Sequence, residues 1–184
     1  MQSIIYYLKY MCKFMLLIIP IFLIIRYIKY MKSKEINLKN ELLLFIFIIY
    51  LTGLMSVTIL PKISIINGEF IINNVGYKYL NLIPFKIFYD TIIEIKKDNI
   101  DYLIISFIGN IVMFIPIGIL LPLIYKIDYK KTIIIGFSIS LFIEIMQFIF
   151  LERETDIDDL ILNTLGVMIG LIILKYIIKF KNRR

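Results

Sequence analysis

The sequence predicts an all-α membrane protein of about five transmembrane helices, with a loop on one face between the second and third. Three observations predict it. Apolar residues make up 60% of the 184 positions and charged residues only 19%, against roughly 45–50% and 25% in soluble domains. Four apolar stretches, about 42–60, 102–125, 132–151 and 157–174, each approach the roughly 20 residues that carry a helix across ~30 Å of hydrocarbon. The basic residues also change in number from one connection to the next, as the positive-inside rule requires. The whole chain, 1–184, reads as one membrane domain without internal repeats or low-complexity linkers.

Each element can be justified in turn. Residues 1–41 read as an N-terminal helix and a cytoplasmic loop. Within them the uninterrupted apolar run is Phe14–Ile25, which contains Pro20 and is bounded by Lys13 and Arg26. A short span around 14–31 fits, its flanking Lys and Arg side chains snorkelling to the interface. No small-residue cleavage site follows it, which argues against a cleaved signal peptide. After the second span, "ISIINGEFII" sets apolar runs on either side of Asn67 and Gly68, a short hairpin signal. "NLIPF" (81–85) then leads into "KIFYDTIIEIKK", a re-entrant or amphipathic segment suited to the membrane interface.

Orientation follows from the connections. Segments 26–40, 126–131 and 175–184 hold thirteen Lys and Arg, whereas 62–101 and 152–159 hold six. The richer set belongs in the cytoplasm. The C-terminus is then cytoplasmic, and 62–101 and 152–159 are extracellular. Lys9 and Lys13 fit this arrangement least well.

Composition excludes several chemistries. Histidine is absent, so no imidazole base or ligand is available. Cys12 is the single cysteine and has no internal disulfide partner. The net charge of +7 is distributed between apolar runs rather than gathered in a nucleic-acid patch. No phosphate-binding loop or nucleophile elbow is present. The lipid bilayer is the expected partner, nucleic acid is not, and the oligomeric state is not readable.

Polar residues inside the spans carry the most information. Gly136, Ser140, Glu144 and Gln147 are spaced by four, four and three, and so share one helical face. Asp156, Asp159, Asn163, Gly166 and Gly170 form a second such stripe, whose glycines permit close helix approach. Ser106 and Asn110 share a face just before "FIPIG", where Pro116 frees backbone groups. From the outer ends of their helices, Asn110 lies roughly 12 Å deep, Glu144 roughly 10 Å and Asn163 roughly 9 Å. Asn110, Glu144, Gln147 and Asn163 thus form one polar layer in the outer leaflet, with Asp156, Asp158 and Asp159 above it, open to the outside.

Two readings of this layer stand. Thr155 and Asp158 resemble a capping box, and acids suit the positive end of a helix. Glu144 is not explained that way, because its charge at membrane depth costs about 2–3 kcal/mol even on insertion scales. Arg153 is its natural partner in a structural network. Alternatively the layer is a ligand pocket, with Glu144 and Asp159 as candidate acid–base groups. No cofactor is expected. Asp156, Asp158 and Asp159 are weak candidates for holding Mg²⁺ or Ca²⁺, which prefer carboxylate oxygens.

Four motifs, "NLIPF" (81–85), "GNIVMFIPIG" (109–118), "EIMQ" (144–147) and "RETDIDDLILNTLGVMIG" (153–170), occur in the order and spacing of the VanZ-like family. The resemblance runs from about 42 to 174. It carries the family pattern onto Asn81, Pro84, Phe85, Asn110, Phe114, Pro116, Gly118, Glu144, Gln147, Arg153, Asp156, Asp159, Asn163, Gly166 and Gly170. It implies an integral membrane protein of Gram-positive bacteria, linked in some members to resistance against teicoplanin and other lipid-tailed glycopeptides. Three roles are open. The chain could bind or shield an outer-leaflet lipid, cell-wall precursor or lipid-tailed glycopeptide. It could be an enzyme acting on an outer-leaflet lipid or envelope glycopolymer. Least favoured is a transporter of a lipid or small molecule.

Overall fold

The structure, a computed structural model, describes residues 2–33, 37–59, 62–66, 69–73, 80–150 and 155–182. In chain order it comprises α1 (Gln2–Ser33), α2 (Leu38–Thr58), β1 (Lys62–Ile66), β2 (Glu69–Asn73), β3 (Leu80–Asn81) and α3 (Lys86–Lys96). A short α4 (Ile100–Tyr102) passes through a π-helical stretch, Leu103–Ile108, into α5 (Gly109–Tyr125). Then come α6 (Tyr129–Phe150), β4 (Thr155–Asp156) and α7 (Ile157–Lys181). Among the described residues, five helical stretches are long and apolar enough to cross a membrane: Leu8–Lys32, Leu38–Thr58, Ile100–Tyr125, Tyr129–Ile149 and Ile157–Lys181.

Two spans are longer than their apolar runs. The last continues past 174 to Lys181, because Lys is a good helix former and suits the negative end of the helix dipole. The first extends through Lys13 and Arg26 to Ser33. Arg26 forms an ion pair with Glu41 of α2, which lets the cation stay inside a continuous helix. None of the most apolar window of α1 is buried, so this helix lies against the bundle as an outer stave. Gly53 of α2 receives it, since the side-chain methyls of Met11 and Met15 sit where a Cβ would be.

The centre of the bundle is the α5–α7 pair. Gly166 and Gly170 face the carbonyls of Ile111 and Ile115, where an added Cβ would lie 2.2 Å from each oxygen. Gly118 answers from α5, its Cβ position 2.1 Å from the Val167 carbonyl oxygen. Such approach is the physical use of small residues in lipid, where dispersion and weak Cα–H···O contacts replace the hydrophobic drive. Phe47, Leu54, Phe114, Ile117, Leu121, Ile143 and Val167 complete a buried cluster contributed by α2, α5, α6 and α7. Beside Pro116, the Tyr50 hydroxyl donates to the Met113 carbonyl at 2.5 Å.

The connection between the second and third spans contains the expected strand pair. β1 and β2 are antiparallel in register, Lys62 opposite Asn73 and Ile66 opposite Glu69, which leaves two residues, 67 and 68, for the turn. Those two lie outside the described residues. α3 follows as an amphipathic helix: Ile87 and Thr91 are buried, whereas Phe88, Tyr89, Ile92 and Ile95 are exposed. A lipid interface suits that exposed face.

Candidate functional site

The acidic start of α7 organises the site. Asp156 is the N-cap, its side chain accepting from the Asp158 N–H at 2.9 Å. This corrects the expectation of a Thr155–Asp158 capping box. Thr155 instead donates its hydroxyl to the Glu144 carbonyl at 3.2 Å. The Asp158 carboxylate is unavailable to α7 because it accepts the backbone N–H of Phe85 at 2.5 Å and of Ile87 at 2.8 Å. Asp158 is only 1% exposed, so the picture of three acids open to the outside is also wrong. Two backbone donors satisfy this carboxylate, which makes burial tolerable.

The "NLIPF" segment is thereby docked on α7. β3 and β4 pair in parallel, Leu80 with Thr155 and Asn81 with Asp156. The Asn81 amide donates to Asp156 Oδ2 at 3.0 Å, and its own oxygen accepts from the Ile83 N–H at 3.2 Å. Asn81 is buried, while Leu82, Ile83, Pro84 and Phe85 are exposed. Phe85 has φ +67°, a left-handed conformation unfavourable for a bulky residue. Its N–H bond to Asp158 helps hold the strained turn. On the other side Phe85 lies 6.2 Å from Phe88, and Phe88 packs edge-on against Phe107 of the π stretch at 5.1 Å.

The expected single polar layer separates into two levels and a rim. On the first level, Asn110 donates to Asp159 Oδ1 at 2.5 Å and to the Ser106 carbonyl at 2.9 Å. Glu144, 4% exposed, accepts the Asp156 N–H at 3.2 Å. One turn further along both helices, the Asn163 amide donates to Ser140 Oγ at 2.8 Å. Asn163 Oδ1 is buried without a hydrogen-bond partner. Gln147 forms the rim, donating to the Thr58 carbonyl at 3.1 Å. The split arises because Asn110 reaches the first turn of α7, whereas Asn163 faces Ser140 rather than Asn110. Arg153 lies outside the described residues.

A cleft of about 420 Å³ opens beside this network. Ser106, Asn110, Gln147 and Asp159 supply its polar lining; Leu8, Met11, Val57, Ile104, Ile105, Val112 and Met113 supply apolar walls. All five spans contribute, α2 and α6 from their C-terminal ends and α1, the third span and α7 from their N-terminal halves. Glu144, Asp156, Asp158 and Asn163 are not on its wall. The contribution of α1, through Leu8 and Met11, was not legible in the sequence because neither residue is polar or regularly spaced with the motifs. Among the described residues, no three Asp, Glu, His or Cys side chains are grouped to hold a metal ion.

Comparison with known proteins identifies the family. The chain is similar to Protein VanZ of Enterococcus faecium, with 43% identity over 65 residues, 35% of this chain and 40% of that protein. The aligned stretch thus spans about two fifths of the relative's length. No solved structure matches. The VanZ/LLP1 family model matches residues 47–179, which takes in the "NLIPF" loop, the α5–α7 pair and both levels of the polar network. With five membrane-crossing helices and that match, this multi-pass membrane protein belongs to the VanZ/LLP1 family.

Proposed function

We propose that this protein works at the outer face of the cell membrane, where it engages an amphiphile and lowers the access of lipid-tailed glycopeptides such as teicoplanin to the cell surface. The observation that carries this reading is the cleft, which joins an apolar wall to Asn110, Gln147 and Asp159. An acyl chain and a polar head need those two environments side by side. The charge asymmetry of the connections supports an extracellular 62–101 and 152–159 and a cytoplasmic C-terminus. Similarity to Protein VanZ supports the resistance role.

A membrane enzyme acting on a lipid or envelope glycopolymer is the second reading, favoured by the Asp159 carboxylate on the cleft wall. It would have to use Asp159 without Glu144, whose residue does not line the cleft. The test is expression of wild type and Asp159→Asn at equal membrane levels in a host lacking any related protein, followed by binding of fluorescent teicoplanin and vancomycin to the cells. Wild type is expected to lower teicoplanin binding more than vancomycin binding, and Asp159→Asn to lose the effect. Unchanged binding of both drugs overturns the proposal. A wild-type-dependent change in lipid mass favours the enzyme instead.

A further inference from the structure

We propose that the end of the bundle opposite the cleft holds the head group of an anionic phospholipid, its phosphate shared between lysines of the α5–α6 turn and of the end of α7. The inference concerns the other membrane face and stands apart from the reading of the cleft. Six exposed lysines reach that end from three helices: Lys126, Lys130 and Lys131 around the turn, and Lys175, Lys179 and Lys181 on α7. Among the described residues Lys131 alone of the six has an acidic partner, the exposed Asp128 at 3.6 Å.

The packing brings the two groups of lysines to one level. α5 and α7 run parallel, Ile111 against Gly166 and Gly118 against Leu171. Lys126 and Lys179 each follow that second contact by about 12 Å, at 1.5 Å per residue. α6 runs antiparallel to α7, Gly136 against Val167 and Ser140 against Asn163. Towards the same end, Lys130 lies about 9 Å beyond the Gly136–Val167 contact and Lys175 about 12 Å. Ile124 of α5, Thr132 of α6 and Leu174 of α7 are buried just beneath the lysines, so the three backbones that carry the charges are held.

Two observations select a lipid rather than a nucleic acid or an acidic protein. Tyr125, Tyr129 and Tyr176 are exposed at the same level, as in the aromatic belts that mark a membrane–water interface. Ile177 and Phe180 are exposed between the lysines of α7, so apolar contact and positive charge lie side by side. A phospholipid presents acyl carbons next to its phosphate and satisfies both. Basic pockets between membrane helices bind such head groups. Each Lys near an anionic surface raises binding about fivefold, so two lysines sharing one phosphate give at least about tenfold.

The chain contains no tryptophan, so one introduced Trp reports alone. Tyr176→Trp at the lysine end and Ile149→Trp at the opposite end of α6, both exposed positions, would each be reconstituted in phosphatidylcholine nanodiscs. Phosphatidylglycerol brominated at the head-group end of its chains would then be titrated in, with equally brominated phosphatidylcholine as the control without net charge. Half-maximal quenching of Tyr176→Trp is expected at about a tenth of the phosphatidylglycerol fraction that Ile149→Trp requires, with no such difference for phosphatidylcholine. Lys126→Gln with Lys130→Gln, or Lys179→Gln with Lys181→Gln, should each abolish the difference, and the matching Arg substitutions should keep it. Tyr125→Trp on α5 repeats the reading should Tyr176→Trp not fold. Equal quenching at both ends overturns the lipid site. A difference that survives Lys126→Gln with Lys130→Gln overturns the shared arrangement. Suppression by inorganic phosphate, but not by chloride at equal ionic strength, assigns the lysines to a free anion and overturns the lipid.

Discussion

Asp158→Ala should release the "NLIPF" loop and α3 from the bundle without unfolding the spans. The carboxylate is buried at 1% exposure and accepts two backbone N–H bonds, from Phe85 and Ile87. Hydrogen bonds to a charged group contribute about 1.5–3 kcal/mol each, so their joint loss is about 3–6 kcal/mol. Relaxation of the left-handed Phe85 returns about 1–3 kcal/mol of that. The net cost of about 3 kcal/mol corresponds to roughly a hundredfold faster opening of the segment. Hydrogen exchange read by mass spectrometry in nanodiscs would follow peptides covering 80–97 and 160–175. The first should lose protection by about two orders of magnitude and the second should keep it. Unchanged exchange at 80–97 would refute the clamp. Equal loss in both peptides would refute the claim that it acts locally.

Other perturbations test the packing and the polar levels. Gly166→Ala places a Cβ 2.2 Å from the Ile111 carbonyl oxygen and should cost about 1–3 kcal/mol by overpacking, read as a lower thermal midpoint in detergent. Gly53→Ala should cost less, because the obstructing atom is the flexible end of Met15. Asn163→Leu removes a buried oxygen that has no hydrogen-bond partner. Relief of an orphan worth about 1–3 kcal/mol outweighs the simultaneous loss of the amide's bond to Ser140 Oγ, about 0.5–1.5 kcal/mol. Thermal stability should therefore be equal or higher, and a marked fall would show that the oxygen is engaged. At the end of α3, Lys97 and then Asn99 hold the Glu94 carboxyl below its ordinary value of 4.5. The stabilisation is thus present above the ordinary carboxylate range and lost as pH falls through the lowered value. Exchange at 94–99, corrected for intrinsic rate, should rise between pH 6 and pH 3.

The spans and their polar stripes were legible because both depend on local, one-dimensional signals. Length and apolarity mark a membrane helix, and spacings of three and four assign residues to a face. Asn110, Glu144, Gln147, Asp159 and Asn163 stood out because polar groups are costly in hydrocarbon. Asp158 was legible as an acid at a helix start, but its true partners are backbone amides more than seventy positions away. Backbone donors look the same at every residue, so no sequence pattern points to them. The wall contributed by Leu8 and Met11 was hidden for a similar reason: apolar residues facing a cleft and apolar residues facing lipid are chemically alike.

The sequence by itself therefore determined that the chain crosses a membrane, where the second, third and fourth spans begin and end to within a few residues, and which helix faces are polar. These follow from transfer free energy and helical period alone. Only the tertiary structure decided which polar groups meet: Asn110 with Asp159, Asn163 with Ser140, Gln147 with the Thr58 carbonyl. It also decided that Asp158 fastens a loop while Asp159 lines a cleft. Neighbouring acids one residue apart point about 100° from each other around a helix. Their different roles come from what the rest of the fold places on each side.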